Sequence, residues 1–316
     1  MTNNSMSQHI MNDHMNGRVR NMVSALEENI TPPAKCAPSK AFEEGSCFTL
    51  DNLKAIATEY NKHYRDKIPI DKIGNDKKRL LRYLTIKMSS RYGCKTQECW
   101  LRSKEVKLLE DDDIKYNTFR PSGPKKQFEW LSTTDINKVM FQYEFKHPEF
   151  KFLGAVPSDF DELPQYGTTD LNFTELEKTT YKLGLVINLD THNMSGSHWV
   201  ALFINLRENK IYYFDSFGKK PQKRVNMFIR RVLTYMYNKK FKTTIDIEEF
   251  MKRFHSSDDY DIRFNKIQHQ FKNSECGVYS MNFIIRLLGG NDFDSIVENI
   301  TNDDVMNSCR KIYFKN

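Results

Sequence analysis

The sequence predicts an α+β protein, with a helical N-terminal extension ahead of a mixed core of short strands and amphipathic helices. Three observations carry this. Apolar residues recur at three-and-four spacing early in the chain, at Leu50, Leu53, Ile56, Ala57 and Tyr60 and again at Leu80, Leu81, Leu84 and Met88. From about residue 126 the texture changes to strand-length apolar runs, Tyr181–Leu189, His198–Leu206 and Ile211–Asp215. Two further helical stripes follow, Val225 to Met236 and Cys276 to Leu288.

Residues 1–35 are polar, rich in Asn, Met and Ser, and close on Thr31-Pro32-Pro33, which reads as a disordered or loosely attached tail. Residues 36–115 form the helical region. Thr49 and Asp51 are both plausible caps for its first helix, and Asp76 and Gly93 bound the second. Ile68-Pro69-Ile70 reads as extended between them, and Glu110 to Asp113 is an acidic run. A linker over 116–125 holds Arg120-Pro121-Ser122-Gly123-Pro124. The remaining domain, 126–316, opens with a helix over Asp135–Tyr143. The polar Arg207-Glu208-Asn209-Lys210 turn makes a hairpin of the last two strand runs. His198–Leu206 is apolar on both alternating faces, so it should be a central strand covered on both sides. The helix over 225–236 carries Lys223, Arg224, Arg230 and Arg231 on its outer face, and Gly289-Gly290 stops the last one.

Composition removes several classes. The 316 residues are 39% hydrophobic and 28% charged, with a net charge of +7 that permits nucleic-acid contact without implying it. No apolar run approaches the roughly 20 residues a bilayer needs, so no membrane partner is expected. The first twenty residues have no apolar stretch of a secretory signal. The six cysteines, at 36, 47, 94, 99, 276 and 309, are scattered and read as reduced rather than as a disulfide scaffold. Cys94 and Cys99 stand at the edge of zinc-ligand spacing with no second pair to match, so no metal and no cofactor is expected.

Cys276 opens the last helix within Ser274-Glu275-Cys276-Gly277. A helix N-terminus favours thiolate, and Gly277 has no Cβ to obstruct a substrate backbone. Taken alone, Cys276 also fits a small buried core residue. His198 begins an apolar strand after Ser195-Gly196-Ser197, as either a satisfied strand-end residue or a general base. Asp215 ends the next strand, where a carboxylate fixes an imidazole's tautomer or simply forms a turn. Gln270 is placed to offer a side-chain amide beside the Cys276 backbone N–H as an oxyanion hole, with Gln268 and His269 as adjacent rivals.

In chain order, Gly-Ser-His198-Trp199-Val, Tyr-Phe-Asp215-Ser and Gln270-x₅-Cys276-Gly-Val-Tyr resemble the SUMO-protease (ubiquitin-like-protein protease) family of cysteine peptidases. Papain-like enzymes place Cys before His, so the order His, Asp, Gln, Cys argues against them. Glu129-Trp130-Leu131 resembles the family's Trp-Leu cleft motif, and the resemblance covers roughly residues 126–316. Within the family it runs to the maturation proteases of large cytoplasmic DNA viruses. Lys40 to Asn52 and Trp130 to Glu144 are similar to segments of thiol proteases of mimivirus-like giant viruses.

The resemblance implies a papain-like-clan cysteine protease core, with a central, mostly antiparallel sheet flanked by helices. It implies Cys276 as nucleophile, His198 as general base and acid, Asp215 as orienting carboxylate, and Gln270 with the Cys276 backbone as oxyanion hole. Trp130 and Trp199 would wall a tunnel that admits only glycine or another small residue before the cut. The implied substrates are viral structural precursors, processed in the virion and host cytoplasm, or conjugates of ubiquitin-like modifiers. Finally, Thr49 to Ala57 with Lys77 to Leu84 resembles a SAP-type helix–loop–helix DNA-binding motif, so residues 36–115 are a candidate DNA contact; the alternative is a helical pair with a solvated basic face.

Overall fold

A computed structural model describes residues 35–254 and 259–315, so the expected tail lies outside the described residues except for Lys35. The described chain divides into two compact units, one of residues 35–122 with 312–315 and one of residues 123–311. The C-terminal segment from Ile312 thus groups with the N-terminal unit rather than with the domain expected over 126–316. Within that unit Lys35 donates to the Phe314 carbonyl (3.3 Å), the Lys315 N–H donates to the Pro121 carbonyl (3.1 Å), and Lys315 pairs with Glu98.

The N-terminal unit is built on two helices, α1 (Leu50–His63) and α2 (Lys77–Tyr92). Thr49 and Asn52 satisfy each other's backbone N–H groups in a capping box, and Asp76 accepts the Arg79 N–H (2.9 Å). Gly93 ends α2 at φ 66°, a left-handed conformation that glycine adopts without strain. The Ile68-Pro69-Ile70 stretch departs from expectation: Ile70–Ile73 is a helical turn with Pro69 just before it. The acidic run is used locally: Asp111 caps a short helix, Asp112–Tyr116, whose first-turn carboxylates face the positive end of the helix dipole. Leu53, Ile56, Tyr60, Leu80, Leu84 and Met88 enter one core with Phe48 and Trp100, whose rings stack at 5.7 Å.

The cysteines correct the reading of a reduced set. Cys36 is bonded to Cys47, and Cys94 to Cys99, with Cα separations of 5.3 and 5.5 Å. Turns bring each pair within bridging range, which residue spacing alone does not reveal. The pair weighed as zinc ligands is therefore consumed in a disulfide, and Cys276 and Cys309 are buried and not disulfide-bonded.

The other unit carries α3 (Thr133–Lys146), capped by Ser132 and Asp135, and a five-stranded sheet in sequential order. Its strands are β1 (Phe150–Pro157), β2 (Lys182–Asn188), β3 (Trp199–Asn205), β4 (Lys210–Phe214) and β5 (Asp261–Phe264). The meander β2–β3–β4 is antiparallel, as expected, whereas β1 and β5 join its edges in parallel. Parallel neighbours need crossovers of a dozen residues or more. Residues 158–181 supply one, and the stretch holding α4 (Lys223–Phe241) supplies the other.

All seven residues of β3 are buried, which places it at the centre. Val200, Leu202 and Ile204 pack with Phe228 and Val232 of α4. The opposite face of the sheet meets α5 (Cys276–Leu288), where Phe214 stacks on Phe283 at 4.9 Å and a Cβ on Gly184 would lie 3.4 Å from Ile284. The basic outer face expected of α4 is partly neutralised: Arg224 pairs with Glu162 (2.9 Å) and Arg231 with Asp161 (2.7 Å). Among the described residues no helix is long and apolar enough to cross a membrane.

Candidate active site

The hairpin register decides what spacing alone left open. Ala201 lies opposite Phe214, so the residue before β3 and the residue after β4 emerge at one end of the sheet. Those residues are His198 and Asp215, and His198 Nε2 meets Asp215 Oδ1 at 2.7 Å. Both side chains are buried. Asp215 is held in turn: its N–H donates to Asn265 Oδ1 (2.8 Å), its carbonyl accepts from Asn265 Nδ2 (2.6 Å), and its Oδ1 also accepts the Phe217 N–H (2.8 Å). The Phe217 ring stacks on the imidazole at 4.5 Å. Asn265, which clamps the Asp215 backbone from just beyond β5, carries no periodic or motif signal and escaped the sequence reading.

With Nε2 committed to Asp215, Nδ1 is the nitrogen left for the ring's other partner, and Cys276 is near enough to favour charge on the ring. Burial opposes charge on His198, but the bond to Asp215 and the nearby Cys276 outweigh it and push its pKa up to about 9. At neutral pH the imidazole is therefore held in its protonated form, the counter-ion a thiolate needs.

Cys276 is the first residue of α5. Glu275 gives no side-chain cap there, so the first-turn N–H groups have no partner within the helix. A Cβ built on Gly277 would lie 3.2 Å from Leu131 Cβ and 3.3 Å from Trp199 Cδ1. This revises the expected role of Gly277, which lets α5 pack closely on Leu131 and Trp199 rather than opening space for substrate.

Gln270 is buried. Its Oε1 accepts from Ser216 Oγ (2.6 Å), its backbone N–H donates to the Ser216 carbonyl (2.9 Å), and one side-chain N–H goes to the Lys272 carbonyl (2.7 Å). An amide nitrogen has two hydrogens, so one donor is left over. The rivals separate clearly. Gln268 is exposed and turns its amide to the Gln270 carbonyl (2.7 Å). His269 is a core residue with Nε2 on the Val297 carbonyl (3.0 Å), and burial lowers its pKa to about 4, leaving it neutral.

Trp130 and Trp199 line one cleft of about 430 Å³, with Leu131, Asn188, Met194 and Gly196 among its other walls. Trp199 is buried, and its indole N–H donates to the Leu131 carbonyl (3.0 Å), whereas Trp130 is 46% exposed. A second histidine–carboxylate pair, His192 Nδ1 with Asp159 Oδ2 at 2.6 Å, borders the same cleft. Nothing in the sequence reading singled it out, because Asp159 and His192 are 33 residues apart. A thiol at a helix start, beside a charged imidazole that is fixed by a carboxylate, can perform acyl transfer on a backbone laid along this cleft.

Comparison with known proteins agrees with that chemistry. Residues 184–316 match the Ulp1 protease family, C-terminal catalytic domain. The chain is 37% identical over 303 residues to the "Putative thiol protease R355" of Acanthamoeba polyphaga mimivirus, covering 89% of this chain and 93% of that one. It is 22% identical over 244 residues to a SUMO-1 cysteine protease of African swine fever virus, covering 71% and 84%. The crystal structure of an African swine fever virus protease superposes with a TM-score of 0.56 at 20% identity, covering 91% of this chain and 98% of that one, which shows a shared fold. On the strength of the 37% relative, matched over nearly its whole length, the chain belongs to the Ulp1 protease family and is a cysteine peptidase.

Proposed function

We propose that this peptidase cleaves protein precursors after glycine or another small residue, with Cys276 as nucleophile, and that its substrates are viral core or capsid precursors processed during virion maturation in the virion and host cytoplasm. The observation that carries the reading is the Asp215–His198 hydrogen bond (2.7 Å) with Cys276 beside the imidazole at the start of α5, next to Trp199, which with Trp130 lines the cleft. With the Cys276 proton already held on His198 Nδ1, the thiolate attacks the carbonyl carbon of the scissile bond. The oxyanion forms beside the Cys276 N–H and the remaining Gln270 amide hydrogen. His198 returns the proton to the leaving amine, then takes one from water, whose oxygen hydrolyses the thioester and frees the thiol. Asp215 holds the ring in place and stabilises its charge. The small-residue preference follows from two indoles and Leu131 around an extended backbone, which leave little room for a Cβ.

The test is cleavage-site mass spectrometry on recombinant structural precursors of the parent virus, with wild-type enzyme and Cys276→Ala. Cuts after Gly or Ala that vanish in the variant are expected. Cuts that persist would remove Cys276 from the mechanism, and cuts after bulky residues would remove the cleft argument.

A second substrate class, conjugates of ubiquitin-like modifiers, uses the same residues; one relative carries SUMO-1 cysteine protease in its name. Release of a folded modifier from a lysine conjugate, set against precursor cleavage under equal conditions, separates the two. A DNA contact through residues 36–115 draws support from charge: residues 35–122 hold 19 Lys+Arg against 13 Asp+Glu, while residues 123–311 hold 26 against 25.

A further inference from the structure

Next to the nucleophile lies a buried polar cluster that acyl transfer leaves unused. Glu275 is fully buried, and its carboxylate accepts from the Ser274 N–H (3.1 Å), the Ser274 hydroxyl and the Asn307 amide (3.1 Å). Arg310, 8% exposed, donates from Nη2 to the Ser274 carbonyl (2.9 Å). Its Nε and Nη1 are buried with no hydrogen-bond partner among the described residues, and Asn307 Oδ1 is in the same condition. Asn307 Nδ2 also donates to the Gln127 carbonyl (3.1 Å), ahead of the Trp130 wall.

A guanidinium stays charged at any working pH, and burying one with idle donors is costly. Such a group is retained where its charge has a use. Burial works against the Arg310 charge most strongly; Glu275 and Cys276 on the nucleophile turn, Asp135 on α3 and Glu129 beside Trp130 work for it. On its other side Cys276 is near His198, just before β3, with Asp215 behind the ring.

We propose that Arg310 is a positioning residue for the Cys276 nucleophile: its buried guanidinium fixes the Ser274–Cys276 turn through the Ser274 carbonyl and offsets the negative charge of Glu275, which otherwise stands one residue from the thiolate. The pair Glu275–Arg310 sets the local charge to about zero, so His198 meets the thiolate without a competing carboxylate. The two members act in opposite directions. Removing Arg310 leaves Glu275 unopposed and disfavours thiolate, whereas neutralising Glu275 leaves Arg310 unopposed and favours it.

The inference rests on the reading of Cys276 as nucleophile, but its test needs no substrate. The rate of Cys276 alkylation by iodoacetamide is followed by peptide mass spectrometry across pH 5–10 in the full chain, and the labelled peptide separates Cys276 from Cys309. Arg310→Met should slow alkylation at pH 6 by about tenfold, the change that one pH unit of displaced thiol titration gives. Glu275→Gln should accelerate it, and Arg310→Lys should recover part of the loss because it restores charge without the fork. With a peptide substrate, Arg310→Met should lower kcat and leave KM nearly unchanged. A folded Arg310→Met with an unaltered alkylation profile overturns the proposal. If Arg310→Met does not fold, Glu275→Gln decides: a rate unchanged or slowed overturns it, since a merely structural cluster would lose reactivity in either variant. Failure of the nucleophile reading looks different, as full peptidase activity in Cys276→Ala.

Discussion

The two units solve different physical problems. The unit of residues 123–311 is nearly neutral, leaves Cys276 and Cys309 outside any disulfide, and spends buried polar groups on the His198–Asp215 and Ser216–Gln270 hydrogen bonds. The N-terminal unit holds the excess positive charge, is tied by Cys36–Cys47 and Cys94–Cys99, and has an aromatic core around Phe48 and Trp100. Oxidation that stabilises one unit would silence a thiol in the other. The contrast teaches that cysteine count says little until the fold sorts which sulfurs meet.

The sharpest way to break the contrast is to attack one network and read both units. His198→Gln and Asp215→Asn should each cut turnover by about a thousandfold or more, while hydrogen exchange of α1 and α2 stays unchanged; retained activity would put the chemistry elsewhere. Next in size, replacing Cys36 and Cys47, or Cys94 and Cys99, by Ser should cost about 2–3 kcal/mol for loops this short, seen as lost exchange protection confined to residues 36–115. Equal loss in β2–β4 would mean that the units are not independent.

A smaller effect comes from pH, and its two parts have opposite signs. His198 has its folded pKa raised to about 9, so its contribution to stability is full below pH 6.5 and is lost as pH rises through 9. His269 has its folded pKa lowered to about 4, so its contribution is full above pH 6.5 and is lost as pH falls through 4. Turnover should therefore fall above about pH 9, where the imidazolium can no longer protonate the leaving amine. His198→Gln should flatten the alkaline limb of a stability titration, and His269→Gln the acid limb.

The smallest expected effect concerns charge. Lys78, Arg79 and Arg82 are exposed along α2. A triple Ala variant should weaken duplex-DNA retention a few-fold at low salt and lower its salt slope, leaving peptide cleavage untouched. Absence of any salt-dependent retention in the wild type would leave these side chains a solvated face.

Most helices and the hairpin were legible because each rests on a short-range rule. Thr49, Asp76 and Gly93 bound α1 and α2 where capping chemistry puts them, and β3 is buried on both faces as its unbroken apolar run required. The parallel edge strands were not legible. β5 is only four residues long, and its alternation puts the apolar Ile262 and Phe264 on the exposed side, so its pairing with β4 depends on a crossover that period-2 patterning does not encode.

By itself, then, the sequence determined the α+β class, the helix and strand periods and the residue types of the site, because caps, periodicity and motif order are local properties of the chain. Only the tertiary structure decided the His198–Asp215 stagger, the Asn265 clamp, the close packing at Gly277 and that Gln270, unlike Gln268, is buried. It also decided which four cysteines join and that Arg310 lies against the Ser274 carbonyl. Each of these is a contact between distant parts of the chain, set by register and packing, and no spacing along the chain specifies it.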